Sequence, residues 1–401
     1  MDSHRATGKH RVINLRHSDL TARARASADV ARVNATAVDA EARFPGEAFA
    51  ELRKQRLLGI QVPQALGGES AVIAEIADIC YILGQACSST ALIYAMHQIK
   101  MACIVRHYKG NAAHEKILRR IASEQLLMAS STTEGQAGGN VRSSEAAVEH
   151  DGAQVTLERK ATVISYAVEA DGIVTTARRA ADAAGSDQVL LVLLKSDYTL
   201  ERLQAWDTLG MRGTHSEGFT LRARAAAEQI MPEPYDRIHA QTMVPFAHLL
   251  WGSVWAGIAA AATAKAQAFI RHAVRGSNGQ MPPGAAHFTQ AVSSLRTLRG
   301  VLAANLHSYQ AIMSDEKAIS SLEFQAQITL TKVQVSELAV TTVLSSLRAC
   351  GLSGYRNDTE FTIGRLLRDV LSAPLMINND RILTNLATTS LMTPLPTSIS
   401  G

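Results

Sequence analysis

Three stretches of the chain differ in the period of their hydrophobic positions. From about residue 20 to 127 the spacing is helical: Phe49, Leu52, Leu57 and Leu58 predict a helix stopped by Gly59, and further helices are predicted over 71–86 and 89–108. Between them, Ile60-Gln61-Val62-Pro63 and Leu66-Gly67-Gly68 read as a connector with a close backbone turn. From about 129 to 234 the period drops to two. Val155 and Leu157 alternate with polar residues after an Asp151-Gly152 turn, residues 189–194 form a continuous apolar strand, and Phe219, Leu221 and Ala223 alternate again. From Met243 onward helical spacing returns in three or four long stretches, most clearly over 322–350, which ends at Gly351.

This pattern predicts an α+β chain. It comprises an N-terminal helical domain over 1–127, a central small antiparallel β-barrel or sheet domain over 128–238, and a C-terminal four-helix bundle over 239–401. Helices, then strands, then helices is an uncommon order at this size, where alternating strands and helices are the usual solution.

Composition narrows the function classes. With 47% hydrophobic and 19% charged residues the chain has ample material for a core, which excludes disorder. Lys and Arg (40) nearly balance Asp and Glu (36), no run of like charge is long, and aromatics are scarce, so nucleic-acid binding is not expected. Cys80, Cys87, Cys103 and Cys350 show neither paired nor metal-ligand spacing and read as buried thiols in a reducing compartment, with no metal site. Residues 1–16 are basic without an apolar segment, so no secretory signal is read and a bacterial cytoplasm is the expected location. The longest apolar run, 249–264, contains Gly252 and Gly257 and is shorter than the roughly 20 residues that span a bilayer. It is expected to be a core helix, with no membrane insertion.

Four motifs carry a resemblance. "GIQVPQALGGES" (59–70), "TTEGQAGGN" (132–140), "AWDTLGMRGTHSEGFTL" (205–221) and "CGLSGYRNDTEFTIGRLLRD" (350–369) follow in the order found in the acyl-CoA dehydrogenase superfamily, which the chain resembles over nearly its whole length. The family has Gly-hydrophobic-x-Val-Pro with a Gly-Gly connector, Thr-Glu-Pro-x-Ala-Gly-Ser-Asp, Leu-Gly-x-Arg-Gly-Ser, and Gly-Gly-x-Gly-Tyr followed by Arg-Asp at these places.

The resemblance implies a flavoenzyme with FAD, or FMN, as cofactor. Thr132 and Thr133 would face the flavin ring edge and Gly138 the cofactor, while Gly139, His97 and Met376 would line the substrate. On physical grounds Gly135, Ala137, Gly138 and Gly139 leave backbone N–H groups open for a carbonyl or pyrophosphate, although an ordinary glycine-rich turn has the same composition. The family's Lys-x-Trp-Ile-Thr becomes "KATVIS" (160–165), with one extra residue, Val163 for the tryptophan and Ser165 keeping the hydroxyl. Arg275 and Gly351 are the remaining cofactor positions implied, though "RGSNGQMPPGAAHF" (275–288) departs from the family's nucleotide segment.

The catalytic position departs most. Acyl-CoA dehydrogenases use a desolvated glutamate to remove the α-proton while hydride passes to flavin N5. Counted from Arg368-Asp369, that position is Ile377, and the alternative position on a later helix reads Pro245-Phe246-Ala247-His248. Asp380 and His97 are the replacement bases to examine; His215 lies on a turn and is expected to be exposed. The resemblance implies desaturation of an acyl thioester on coenzyme A or an acyl-carrier protein, with an electron-transfer flavoprotein or flavin reductase as redox partner and a homodimer or homotetramer as assembly. The alternatives are a reduced-flavin-dependent monooxygenase on the same fold, and a non-catalytic acyl-thioester or partner-binding protein.

Overall fold

A computed structural model describes residues 3–134, 143–392 and 398, with side chains described from Asp19 onward. Five helices come first: α1 (Ser3–Ala40), α2 (Gly46–Lys54), α3 (Ile73–Gly84), α4 (Ser88–His107) and α5 (Ala112–Glu124). In α1 the buried stripe is Leu20, Ala24, Ala28, Ala31, Ala35 and Val38. The small alanines let α1 lie close against α2 and α3. Leu57 and Leu58 are fully buried but not helical, because α2 stops at Lys54 and Arg56 takes a left-handed φ of 54°. The helix expected to run to Gly59 is therefore shorter, and its last two apolar residues anchor the connector instead.

Seven strands follow: β1 (Met128–Ser131), β2 (Glu149–Asp151), β3 (Gln154–Ile164), β4 (Gly172–Arg178), β5 (Gln188–Leu194), β6 (Tyr198–Gln204) and β7 (Glu217–Ala226). They form two sheets, β1-β4-β5 and β2-β3-β7-β6. The second is antiparallel throughout, but β1 runs parallel to β4, pairing Met128 with Gly172, which the alternation alone did not reveal. Along β3 the inward phase is Val155, Leu157, Arg159 and Ala161, all buried. The β3–β7 register then shifts between Ala161 and Ile164. This bulge takes up the extra residue of "KATVIS", turns Val163 outward to 39% exposure, and brings Ser165 to the strand end.

The chain leaves the sheets through α6 (Tyr235–Ile238) and one π-helical turn, His239–Met243. The long helices α7 (Val244–Gly276), α8 (Ala285–Ile312) and α10 (Leu322–Cys350) pack on one another, with α9 (Glu316–Ile319), α11 (Leu352–Tyr355), α12 (Gly364–Val370) and α13 (Asn379–Met392) completing the element order. α10 begins on Ser321, whose Oγ accepts the Phe324 N–H, and ends at Gly351 with φ 55°. α7 crosses α3 backbone to backbone. A Cβ on Gly257 would lie 2.5 Å from the Tyr81 carbonyl oxygen, and one on Gly84 would lie 2.6 Å from that of Val254. The segment Tyr235–Gly276 is long and apolar enough to cross a bilayer, but its apolar window is 89% buried in the protein core. All four cysteines are free and buried, and burial pushes the Cys103 and Cys350 thiols up to about 11.

Candidate functional site

The loop 205–216 ties the helical and sheet regions together at the edge of the site. Asp369 is 3% exposed and its Oδ1 accepts the Met211 N–H at 2.8 Å, while Arg368 pairs with Asp39. A Cβ on Gly210 would fall 2.2 Å from the Arg368 carbonyl oxygen, so glycine is required by this close approach. Arg212 donates from Nε to the Asp39 carbonyl at 2.9 Å. The Arg-Asp pair of the fourth motif is thus a clasp onto chain segments 329 (Asp39) and 158 (Met211) residues away.

That clasp presents residues 211–216 to the end of β3. The Tyr166 N–H donates to the Thr214 carbonyl at 2.9 Å, and its phenol donates to the Met128 carbonyl at 3.0 Å, joining this corner to β1. Ser165 Oγ lies 2.7 Å from Ser216 Oγ, which lies 2.7 Å from Thr214 Oγ1, which donates to the Met211 carbonyl at 2.9 Å. Thr214 and Ser216 are buried and Ser165 is half-buried at the mouth. His215, expected to be exposed, is half-buried at φ 44°. Its Nδ1 meets Glu169 Oε1 at 3.0 Å and its Nε2 meets the Ala42 carbonyl at 2.7 Å. The hydrogen bond its Nδ1–H donates to Glu169 raises its pKa, with the Ala42 carbonyl adding to it against burial.

Thr132 and Thr133 follow β1, which packs on β3, and both are half-buried. Just before them the Ser131 hydroxyl is buried without a hydrogen-bond partner among the described residues. Just after them Glu134 is 5% exposed and bonds to residues 144–146 and to β3. Its carboxylate accepts from Ser144 Oγ (2.9 Å) and the Glu145 N–H (2.6 Å), and pairs with Arg159 Nη1 at 3.0 Å. Arg159 sits on the inward phase of β3, and burial lowers its pKa against the pull of Glu134. Gly138 and Gly139 lie outside the described residues.

The turn at the usual glutamate position is held from below by a buried cation. Lys332 is fully buried; its ammonium donates to the Ile377 carbonyl at 2.8 Å and to Asn379 Oδ1 at 2.7 Å, and lies 5.7 Å from the centre of the Trp255 ring. Asn379 Nδ2 donates in turn to Ser336 Oγ at 3.0 Å and Glu337 Oε1 at 2.7 Å. Ile377 takes φ 48°, an unusual conformation for a β-branched residue, and is 44% exposed. Met376 is half-buried against the core. Burial brings the Lys332 pKa down to about 8.

The two replacement bases stand in opposite surroundings, His97 in the core and Asp380 at the surface. His97 is 0% exposed: Nδ1 accepts the Met128 N–H at 3.0 Å and Nε2 donates to the Leu58 carbonyl at 2.9 Å. Both nitrogens are spent on backbone, and burial pushes the pKa down to about 4, so His97 is a core linker between α4 and β1 rather than a base or a substrate contact. Asp380 is exposed in the first turn of α13, where a carboxylate complements the helix dipole, and no described contact joins it to Thr133 or Ser165. At the alternative position His248 is buried, held by the Ile328 carbonyl at 3.0 Å, and lowered to about 4 by burial. Arg275 is exposed in the last turn of α7 and Gly351 is exposed at the end of α10. The two share one end of the helical region, since Gly284 packs on the Ala349 carbonyl, but no described contact links either to Ser165 or Thr133.

These elements match known proteins in the same order. Residues 16–125 match the N-terminal domain of acyl-CoA dehydrogenases. The chain has the acyl-CoA dehydrogenase-like fold. It is 23% identical over 340 residues to a probable acyl-CoA dehydrogenase, YngJ, of Bacillus subtilis, covering 83% of this chain and 86% of that one. It is 26% identical over 364 residues to an L-evernosamine nitrososynthase of a Micromonospora species, covering 86% and 84%. The FMN-bound structure of TdsC from Paenibacillus superposes with a TM-score of 0.82 at 16% identity, covering 94% and 98%. Acyl-CoA dehydrogenase-like folds therefore include dehydrogenases and oxygen-using flavoenzymes, and this chain shares the architecture of both.

Sequence reasoning missed Glu134, Arg159, Ser216, Lys332 and Asn379. Two of them left a signal: Arg159 is a lone cation on the inward phase of an alternating strand, and Lys332 is a lone cation within the apolar face of α10.

Proposed function

We propose that the protein is a flavin-dependent monooxygenase that takes reduced flavin from a separate reductase and acts on a small apolar or amine substrate. The observation that carries this reading is that neither family glutamate position holds a carboxylate among the described residues. The residue at the glutamate position is Ile377, Asp380 points to solvent, and His97 has both ring nitrogens engaged. Without a general base an α-proton abstraction loses about 10²- to 10⁴-fold in rate, whereas oxygen transfer does not require one on the substrate.

The described residues fit the polar edge of a flavin: half-buried hydroxyls at Thr132, Thr133 and Ser165 end two packed strands, beside the unpartnered Ser131 hydroxyl. Thr132, Thr133 and Ser165 would hold the ring, and Glu134 with Arg159 would fix the flank of the glycine-rich segment that includes Gly138 and Gly139. Bound reduced flavin supplies two electrons, the substrate supplies two, and O₂ is divided between the oxidised product and water. Val163 and Ile377 are exposed apolar residues, at the end of β3 and at the usual glutamate position, and would suit an apolar substrate. FMN in the TdsC structure, and the exposed position of Arg275, favour FMN over FAD. A homo-oligomer and a cytoplasmic location belong to the same proposal.

The test is an anaerobic titration of the flavin-loaded protein with short, branched and long acyl-CoA thioesters, alongside ¹⁸O₂ turnover of amines and aromatic heterocycles with a flavin reductase and NADH. The expected result is no bleaching by any thioester and one ¹⁸O in a product of the second panel. Bleaching by a thioester would establish the dehydrogenase reading instead.

A further inference from the structure

The hydroxyl row at the end of β3 has a direction. It contains three close oxygen–oxygen contacts: Ser165 to Ser216 (2.7 Å), Ser216 to Thr214 (2.7 Å) and Thr214 to the Met211 carbonyl (2.9 Å). Three hydroxyl hydrogens are available to fill them. The Met211 oxygen is a carbonyl and brings none; it already accepts the Trp206 indole N–H at 3.1 Å and the Thr214 N–H at 3.1 Å. Only one arrangement places a hydrogen in every contact: Thr214 donates to Met211, Ser216 to Thr214, and Ser165 to Ser216. The reverse order would set the Thr214 hydroxyl oxygen 2.9 Å from the Met211 carbonyl oxygen with no hydrogen between them, in a buried site where Thr214 is 1% exposed.

We infer that Thr214 and Ser216 are positioning residues that make Ser165 a hydrogen-bond acceptor toward the mouth of the site, so that it favours the N–H form of a reduced flavin over the oxidised form. This inference rests on the proposal that the flavin lies at Ser165. With the Ser165 hydrogen committed inward, the hydroxyl has only acceptor capacity left for a group at the mouth. Oxidised flavin presents lone pairs at the ring position that carries hydrogen when reduced, so an acceptor meets a donor in one state and another acceptor in the other. The row ends on a carbonyl and carries no titratable group, so it sets polarity without conducting protons.

The experiment measures dissociation constants for oxidised FMN and for dithionite-reduced FMN under anaerobic conditions, by fluorescence and absorbance, with the full chain and three variants. Thermal melts confirm folding. The wild-type protein is expected to hold reduced FMN more tightly than oxidised FMN. Ser216→Ala releases the Ser165 hydrogen and should lower that ratio about tenfold, equivalent to about 30 mV in the two-electron potential of the bound flavin. Thr214→Val, close in shape, removes the inward acceptor, lets the row reverse, and should lower the ratio at least as far. Ser165→Ala should alter the affinity for one or both forms. Ratios unchanged within about twofold in both Ser216→Ala and Thr214→Val, with Ser165→Ala still altering FMN affinity, would overturn the polarity inference alone. Unchanged affinities in Ser165→Ala would overturn the placement of flavin at this corner. Should Thr214→Val not fold, Ser216→Ala decides the matter by itself.

Discussion

Replacing the two members of the Glu134–Arg159 pair should have unequal effects, and the structure sets the order. Removing one partner of a buried ion pair costs about 3–5 kcal/mol because the other charge is left without compensation. In Arg159→Met the Glu134 carboxylate keeps Ser144 Oγ at 2.9 Å, the Glu145 N–H at 2.6 Å and the Ala146 N–H at 3.4 Å. The same change removes Nε and Nη2 of Arg159, both buried without a partner among the described residues. Its cost should lie at or below the lower end of that range. In Glu134→Leu the guanidinium keeps only neutral oxygens, those of Thr176 and Ser144, and the Glu145 N–H loses its acceptor. A buried unsatisfied donor adds about 1–3 kcal/mol, so Glu134→Leu should exceed Arg159→Met by ~2 kcal/mol, and the double variant should cost less than the sum. Equilibrium urea unfolding followed by far-ultraviolet circular dichroism, with m-values compared, measures all three. Equal costs, a larger cost for Arg159→Met, or simple additivity would refute the reasoning.

Three further outcomes can be checked with the same instruments. His97 is neutral in the folded protein with a pKa near 4, below its unfolded value of 6.5, so its contribution is complete above about pH 6.5 and is lost as pH falls toward 4. His97→Gln should flatten the acid limb of the stability profile, by about 2 kcal/mol at pH 5, and an unchanged limb would count against it. His215 behaves oppositely: Glu169 raises its pKa, so its contribution is present below about pH 6.5 and is lost as pH rises through the raised value. His215→Gln should remove that decline, by under ~1 kcal/mol because the group is partly solvated; a steeper decline in the variant would contradict the pairing. Gly257→Ala puts a Cβ 2.5 Å from the Tyr81 carbonyl oxygen and should cost about 1–3 kcal/mol as α3 and α7 separate. An alanine variant with wild-type stability would show that the crossing tolerates the shift.

The sequence alone determined the order of the architecture, because the period of buried positions depends only on local geometry: 3.6 in α1 and α10, and two along β3 and the second half of β7. It also marked Thr132, Thr133 and Ser165 as chain positions of interest and exposed the missing carboxylate, since motif residues and their replacements are read directly. Tertiary structure decided everything that depends on partners distant in the chain. His97 looked like an available imidazole until Met128 and Leu58, 31 and 39 residues away, took both nitrogens. The parallel pairing of β1 with β4 required knowing which edges meet. Asp380 stands exposed at the start of α13, while Lys332, whose role its lone charge on an apolar face did not specify, and Asn379 came to hold the Ile377 turn. The hydroxyl row from Ser165 to Met211 exists because a β-bulge and a clasped loop bring together residues about 50 positions apart. Hydrogen-bond direction is a property of the completed network, and no single residue in it carries that information.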